Sequence, residues 1–178
     1  MVDMAVPNAA PEELETVMAL LNSWLIPNDS RVATDRLDDF RLAHAVPEAE
    51  TERVRRLRDD LRDVVERKPG AEQRLNQWIR RGRVRPIVSD SSLSFGPSEA
   101  MVAEILVSVL DAMVLGHWPR LKACPDCHWV FYDRSKNASK RWCLMTSGGS
   151  SGRSCGTIAK VRSFRQRQRS SQSAHLAS

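Results

Sequence analysis

The chain reads as a mainly α protein with a short β-hairpin: a helical N-terminal domain, then a small C-terminal module tied together by cysteine. Three observations carry this reading. Apolar residues recur at helical spacing through most of residues 11–115. That period gives way once, around 84–95, to the alternation of a hairpin. All four cysteines, Cys124, Cys127, Cys143 and Cys155, fall in the C-terminal third.

Pro11 followed by Glu12 and Glu13 marks a helix start, since Pro suits the first turn and acids complement its dipole. Leu14, Val17, Met18, Leu21, Trp24 and Leu25 continue it at helical spacing, and Pro27-Asn28-Asp29 stops it. Thr34 is the expected N-cap of a short helix burying Leu37 and Phe40. Pro47 opens a longer helix with Val54, Leu57, Leu61, Val64 and Val65 in one stripe, ended by Pro69-Gly70. A fourth helix buries Leu75, Trp78 and Ile79 and stops near Gly82.

Val84, Pro86 and Val88, then Leu93 and Phe95, flank Ser89-Asp90-Ser91-Ser92 as a short hairpin, with Pro86 making the first strand an edge strand or an irregular one. Residues 98–115 are apolar on nearly all faces, the pattern of a central helix. Gly116 ends it, and Trp118-Pro119 links to the cysteine region.

No apolar run approaches the roughly 18 residues of a membrane span. Asp3 stands where a signal peptide would carry its basic region, so export is not expected. Without export, four cysteines read as metal ligands rather than disulfides. The strand-then-helix setting of a redox Cys-x2-Cys pair is not visible either. No paired carboxylates, Gly-rich phosphate loop or Ser/His/Asp pattern occurs, so the chain is not expected to be an enzyme.

Cys124-Pro125-Asp126-Cys127 aims two thiolates at one point, and Cys143 and Cys155 are placed to complete a tetrahedral Zn²⁺ site. Four thiolates leave no open coordination position, so such a site staples a fold and performs no chemistry. His128 is expected to point away from it. Residues 128–133 read as a strand, 134–137 as a turn, and 139–143 as the returning strand of a hairpin. Residues 156–169 are helix-compatible, with Ile158, Val161 and Phe164 on one side and Arg162, Arg165 and Arg169 on the adjoining flank. Knuckle, hairpin and helix together predict a treble-clef-like zinc finger over 119–169, behind a helical domain over 1–118 and ahead of a disordered polar tail over 170–178.

The net charge of +5 conceals an asymmetry. Residues 120–178 carry 12 Lys or Arg against Asp126 and Asp133, a net +10, whereas residues 1–119 carry 15 against 20 acids, a net −5. A cationic module on an acidic body points to a polyanionic partner.

The run Cys124-Pro125-Asp126-Cys127, Trp129, Phe131, Asp133-Arg134-Ser135, Asn137, Ser139, Arg141-Trp142-Cys143 and Met145 resembles the CGNR zinc finger. Proteins of that family carry the finger behind an ABATE domain, and residues 14–116, with the Arg85-Pro86 hairpin, are similar to one. The resemblance implies one Zn²⁺ on Cys124, Cys127, Cys143 and Cys155, a DNA-binding role, and a cytoplasmic bacterial regulator of transcription under stress. The chain departs from the family between its third and fourth cysteines, where a Gly/Ser-rich stretch, 146–154, intervenes, and after Cys155-Gly156, where Thr157-Ile158 replaces Asn-Arg. Lengthening such a loop costs only about 0.6 kcal/mol per doubling, so the site tolerates it.

The residues expected to contact duplex DNA are Lys136, Lys140, Arg141, Lys160, Arg162, Arg165, Arg167 and Arg169. A protein-binding adaptor stapled by zinc and an RNA-binding protein are the alternatives. A homodimer is expected because two-fold sites suit DNA regulators. Trp24, Trp78, Met101 and Met113 are candidates to line a pocket for a small-molecule or protein effector in the helical domain, although core is the simpler role for each.

Overall fold

The computed structural model describes residues 10–27, 30–96, 101–143 and 154–176, with side chains of the last stretch up to 168. A 3₁₀ turn, Glu12–Leu14, runs into helix α1, Glu15–Asn22. Trp24 and Leu25, expected to continue that helix, instead form strand β1, Trp24–Leu25, antiparallel to β2, Thr34–Asp35. The helix stops because its last carbonyls are taken by side chains. Ser23 Oγ donates to Leu20 O at 2.7 Å, and the Arg62 guanidinium donates to Leu21 O and Trp24 O.

Helix α2 spans Leu37–Ala43, and its Leu37 amide donates to Asp35 Oδ1 at 2.9 Å. Asp35, rather than Thr34, therefore serves its first turn, while Thr34 is spent in the strand pair. Asp35 also receives the buried Arg58 at 2.7 and 3.1 Å, which pins β2 to helix α3, Thr51–Val65.

Helix α4, Ala71–Arg81, follows Gly70, whose φ of 76° is the left-handed turn between the two helices. Asp60 on α3 accepts Trp78 Nε1 at 2.7 Å and Arg74 Nε at 2.6 Å, which aligns α4 along α3. The hairpin comprises β3, Pro86–Ser89, and β4, Ser92–Phe95, joined by Asp90 and Ser91, both at positive φ as a type I′ turn requires. Helix α5, Met101–Val114, buries Val102, Ala103, Ile105, Leu106, Val109 and Ala112, the central role its composition implies.

Beyond the 3₁₀ turn Trp118–Arg120, β5, Leu121–Ala123, pairs antiparallel with β6, Val130–Tyr132. The returning strand expected over 139–143 is not formed. β6 finds its partner upstream instead, with the Cys-x2-Cys knuckle as the connection. The reason lies in Asp133, whose carboxylate accepts the backbone amides of Ser135 and Lys140 at 2.9 and 2.7 Å and folds 135–140 into a loop. Helix α6, Cys155–Leu176, begins at the fourth cysteine. It runs through most of the tail expected to be disordered, with no Gly or Pro after 156 to stop it. Phe164 is not packed: it is 54% exposed, and every residue over 162–168 is exposed, so α6 leaves the body after Val161.

The main core joins Leu14, Val17, Leu21, Leu57, Leu61, Ile105 and Leu106 to Trp118, Leu121 and Val130. The core runs across the expected border at 118/119, because β5 and β6 pack against the helices through Leu121 and Val130. Alternation along β6 makes the joint. Val130 and Tyr132 face the helices, whereas Phe131 faces a second cluster of Cys124, Cys127, Cys143 and Cys155. Trp24, Trp78 and Met113 line three different grooves rather than one pocket. Among the described residues no helix is long and apolar enough to cross a membrane.

Candidate metal centre

The knuckle turns tightly after β5. The Cys124 amide donates to Trp129 O and the His128 amide to Cys124 O, both at 2.9 Å. His128 takes φ 58°, its carbonyl accepts the Arg62 guanidinium and its ring Nδ1 lies 3.2 Å from Glu66 Oε1. Cys143 comes from the end of the Asp133 loop, and Cys155 is the first residue of α6. The Sγ atoms of Cys124, Cys127, Cys143 and Cys155 all lie within 4.8 Å of one another, and all four residues are buried. Cys143 Sγ is 3.4 Å from Cys127 Sγ and 3.5 Å from Cys155 Sγ, and no pair is bonded as a disulfide.

Four sulfurs at these separations suit Zn²⁺, since Zn–S bonds of about 2.3 Å in a tetrahedron put the sulfurs roughly 3.8 Å apart. The electrostatics agree. Hydrogen bonds from Cys127 and Cys143 draw the Cys124 thiol far below its ordinary range. Cys127, facing that thiolate, is pushed up to about 12. Protons alone leave Cys124 and Cys127 competing for negative charge, and a divalent cation removes the competition.

Packing around the sulfurs is close at a glycine. A Cβ on Gly156 would stand 3.3 Å from Cγ and Cδ1 of Trp142, so a side chain there requires the indole to give by a few tenths of an ångström. Trp142 in turn carries the Arg141 guanidinium 5.4 Å from its ring centre.

Two acids that the sequence presents merely as the minority charge are central here. Asp126, between the first two ligands, is buried, and its carboxylate meets Arg31 and Arg162, each at 3.2 Å. Asp133 is fully buried and accepts Lys122 Nζ at 2.7 Å and Ser135 Oγ at 2.6 Å in addition to its two amides. Burial opposes its charge, but Lys122, Ser135 and Lys140 together hold its pKa well below the ordinary carboxylate range. The Pro-Asp spacer inside Cys-x2-Cys is the one sequence signal that marks Asp126.

The expected nucleic-acid residues do not form one set. Lys136, Arg141, Lys160, Arg162, Arg165 and Arg167 are exposed. Lys140 is half-buried, its Nζ 5.7 Å from the Phe131 ring centre. Arg162 is engaged by Asp126, and the Arg169 side chain lies outside the described residues.

Residues 120–168 match the model of the CGNR zinc finger family. No curated protein matches the chain. The family match and the four-sulfur geometry agree on the cofactor: the chain binds zinc through its C-terminal cysteine cluster.

Proposed function

We propose that this zinc-held module binds duplex DNA, as part of a bacterial transcription regulator acting in the cytoplasm. One observation carries the reading. The only acids within 120–178, Asp126 and Asp133, are both buried and internally paired, so the module presents cations outward with no acid among them. A zinc site with four thiolates has no open position for a substrate, so we read the metal as structural and the protein as no enzyme. The knuckle between paired strands and the helix starting at the fourth ligand support a treble-clef-like reading. The helical part is taken as ABATE-like, the companion domain of stress-response regulators.

Lys136, Lys160 and Arg165 are the leading phosphate contacts, being exposed and drawn from both the loop and α6. Lys140, Arg141, Arg162, Arg167 and Arg169 complete the proposed set, with Arg162 also holding Asp126. The test is fluorescence anisotropy of the zinc-loaded full chain with labelled duplex DNA, single-stranded RNA and duplex RNA across a salt series. Preference for duplex DNA with a steep salt slope is expected. Tighter binding to RNA would replace the reading with an RNA-binding one, and no salt-dependent binding would leave the adaptor as the better account.

A further inference from the structure

We infer that β4 is a self-pairing edge through which two copies of the chain join their hairpins into one four-stranded antiparallel sheet. The inference stands apart from nucleic-acid binding. It begins with the parity of the hairpin ladder. Gly96 N donates to Arg85 O at 2.8 Å, which makes 85/96 a hydrogen-bonded pair. With the observed register, Ile87↔Ser94 and Ser89↔Ser92 are hydrogen-bonded as well, and Pro86↔Phe95 and Val88↔Leu93 are not. The N–H and C=O groups of residues 86, 88, 93 and 95 therefore point outward.

The two outer edges differ. On β3 one outward donor is missing because Pro86 has no N–H, and this blunts the edge. On β4 both Leu93 and Phe95 keep their full outward donor and acceptor, and no partner for them occurs among the described residues. Segment 91–96 carries no charge and no Pro, the residues that ordinarily protect an edge.

The apolar face is open too. Pro86, Val88, Leu93 and Phe95 share one face, with Val88 77% and Leu93 47% exposed. β4 touches helix α5 and Phe95 is half-buried, but Val88 and Leu93 stay exposed, and added strands would cover them.

The occupant that fits is a second copy. Antiparallel pairing of β4 with itself about Ser94 makes Leu93↔Phe95 a hydrogen-bonded pair twice over, once in each direction, and satisfies all four outward groups of each copy. It opposes no like charges. Each copy has one open edge and one blunted edge, so the assembly closes as a two-fold dimer instead of growing into a fibre.

Ser94 would sit on the two-fold axis opposite its own counterpart in a non-hydrogen-bonded pair, where side chains come closest. That dictates the experiment. Sedimentation of the zinc-loaded full chain should give a dimer. Leu93→Pro, which removes only an outward N–H and so mirrors Pro86 on the other strand, should weaken dimerisation by at least about tenfold with unchanged circular dichroism. Ser94→Lys and Ser94→Asp should each be monomeric at low salt, and mixing them should restore a dimer. A monomeric wild-type chain overturns the inference. So does a dimer indifferent to Leu93→Pro and to both Ser94 variants, or a mixture that stays monomeric. Should Leu93→Pro fail to fold, the Ser94 pair decides alone.

Discussion

The guanidinium of Arg62, buried on α3, donates to the carbonyl of His128, the residue after the second zinc ligand, at 2.8 Å. The same side chain holds Leu21 O and Trp24 O and lies 4.7 Å from the Trp24 ring centre. One cation thus closes the end of α1 and seats the zinc knuckle. Burial lowers its pKa from the ordinary guanidinium range.

Replacing it tests that joint. Arg62→Met strips donors from three carbonyls, so it should destabilise the chain by about 3–5 kcal/mol in urea unfolding. It should also speed zinc transfer to a chromogenic chelator. A loss below about 1 kcal/mol would mean that water replaces the guanidinium without cost.

Zinc removal should be felt by the whole molecule. β5 and β6 belong to the helical core, so chelation or Cys143→Ser should lower one cooperative transition, not release a C-terminal piece. With at least ~3 kcal/mol lost, the melting temperature should fall by roughly 6–12 °C. An unaltered melt of most helical signal, measured by far-UV circular dichroism, would restore the picture of two independent cores.

Asp133 gives a pH signature. Its folded pKa is depressed, so its stabilisation is full above the unfolded value of about 3.9 and is lost as pH falls through the folded value. Asp133→Asn should therefore cost a constant amount, about 2–3 kcal/mol, from pH ~5 upward, with the gap to wild type closing below pH ~4. A gap that instead widens in acid would contradict the assignment of Lys122 and the two amides as its stabilising partners.

The Gly156 contact predicts a graded response. Ala at 156 gains about 1 kcal/mol of helix propensity and crowds Trp142 by a few tenths of an ångström, so it should be nearly neutral. Gly156→Val should cost about 1–3 kcal/mol and loosen zinc, as read by chelator competition. Equal stability of both variants would show that Trp142 moves aside freely.

Nucleic-acid binding predicts a salt slope. Replacing Lys136, Lys160 and Arg165 together by Ala should flatten the slope of log affinity against log salt by up to about 2.7, with zinc content unchanged. Arg162→Ala should differ, lowering stability as well as affinity, because it strips a partner from buried Asp126. An unchanged slope in the triple variant would reduce this face to a solvated one.

What was legible in the sequence is what a few neighbouring residues encode. The Cys-x2-Cys knuckle, the stripes of α3 and α4, the central α5 and the hairpin around Asp90-Ser91 follow from period and turn chemistry, which act over short separations. Tertiary structure decided the rest. Trp24 and Leu25 have helical spacing, yet Arg62, far along the chain, takes the carbonyls that another helical turn would need. β6 alternates correctly, yet its partner is upstream because Asp133 captures the downstream amides. Asp126 and Arg162 read as loose surface charges until folding sets them 3.2 Å apart. Periodicity marks which residues seek burial, but a charged group's partner depends on which distant segments the fold brings to it, and no local pattern carries that information.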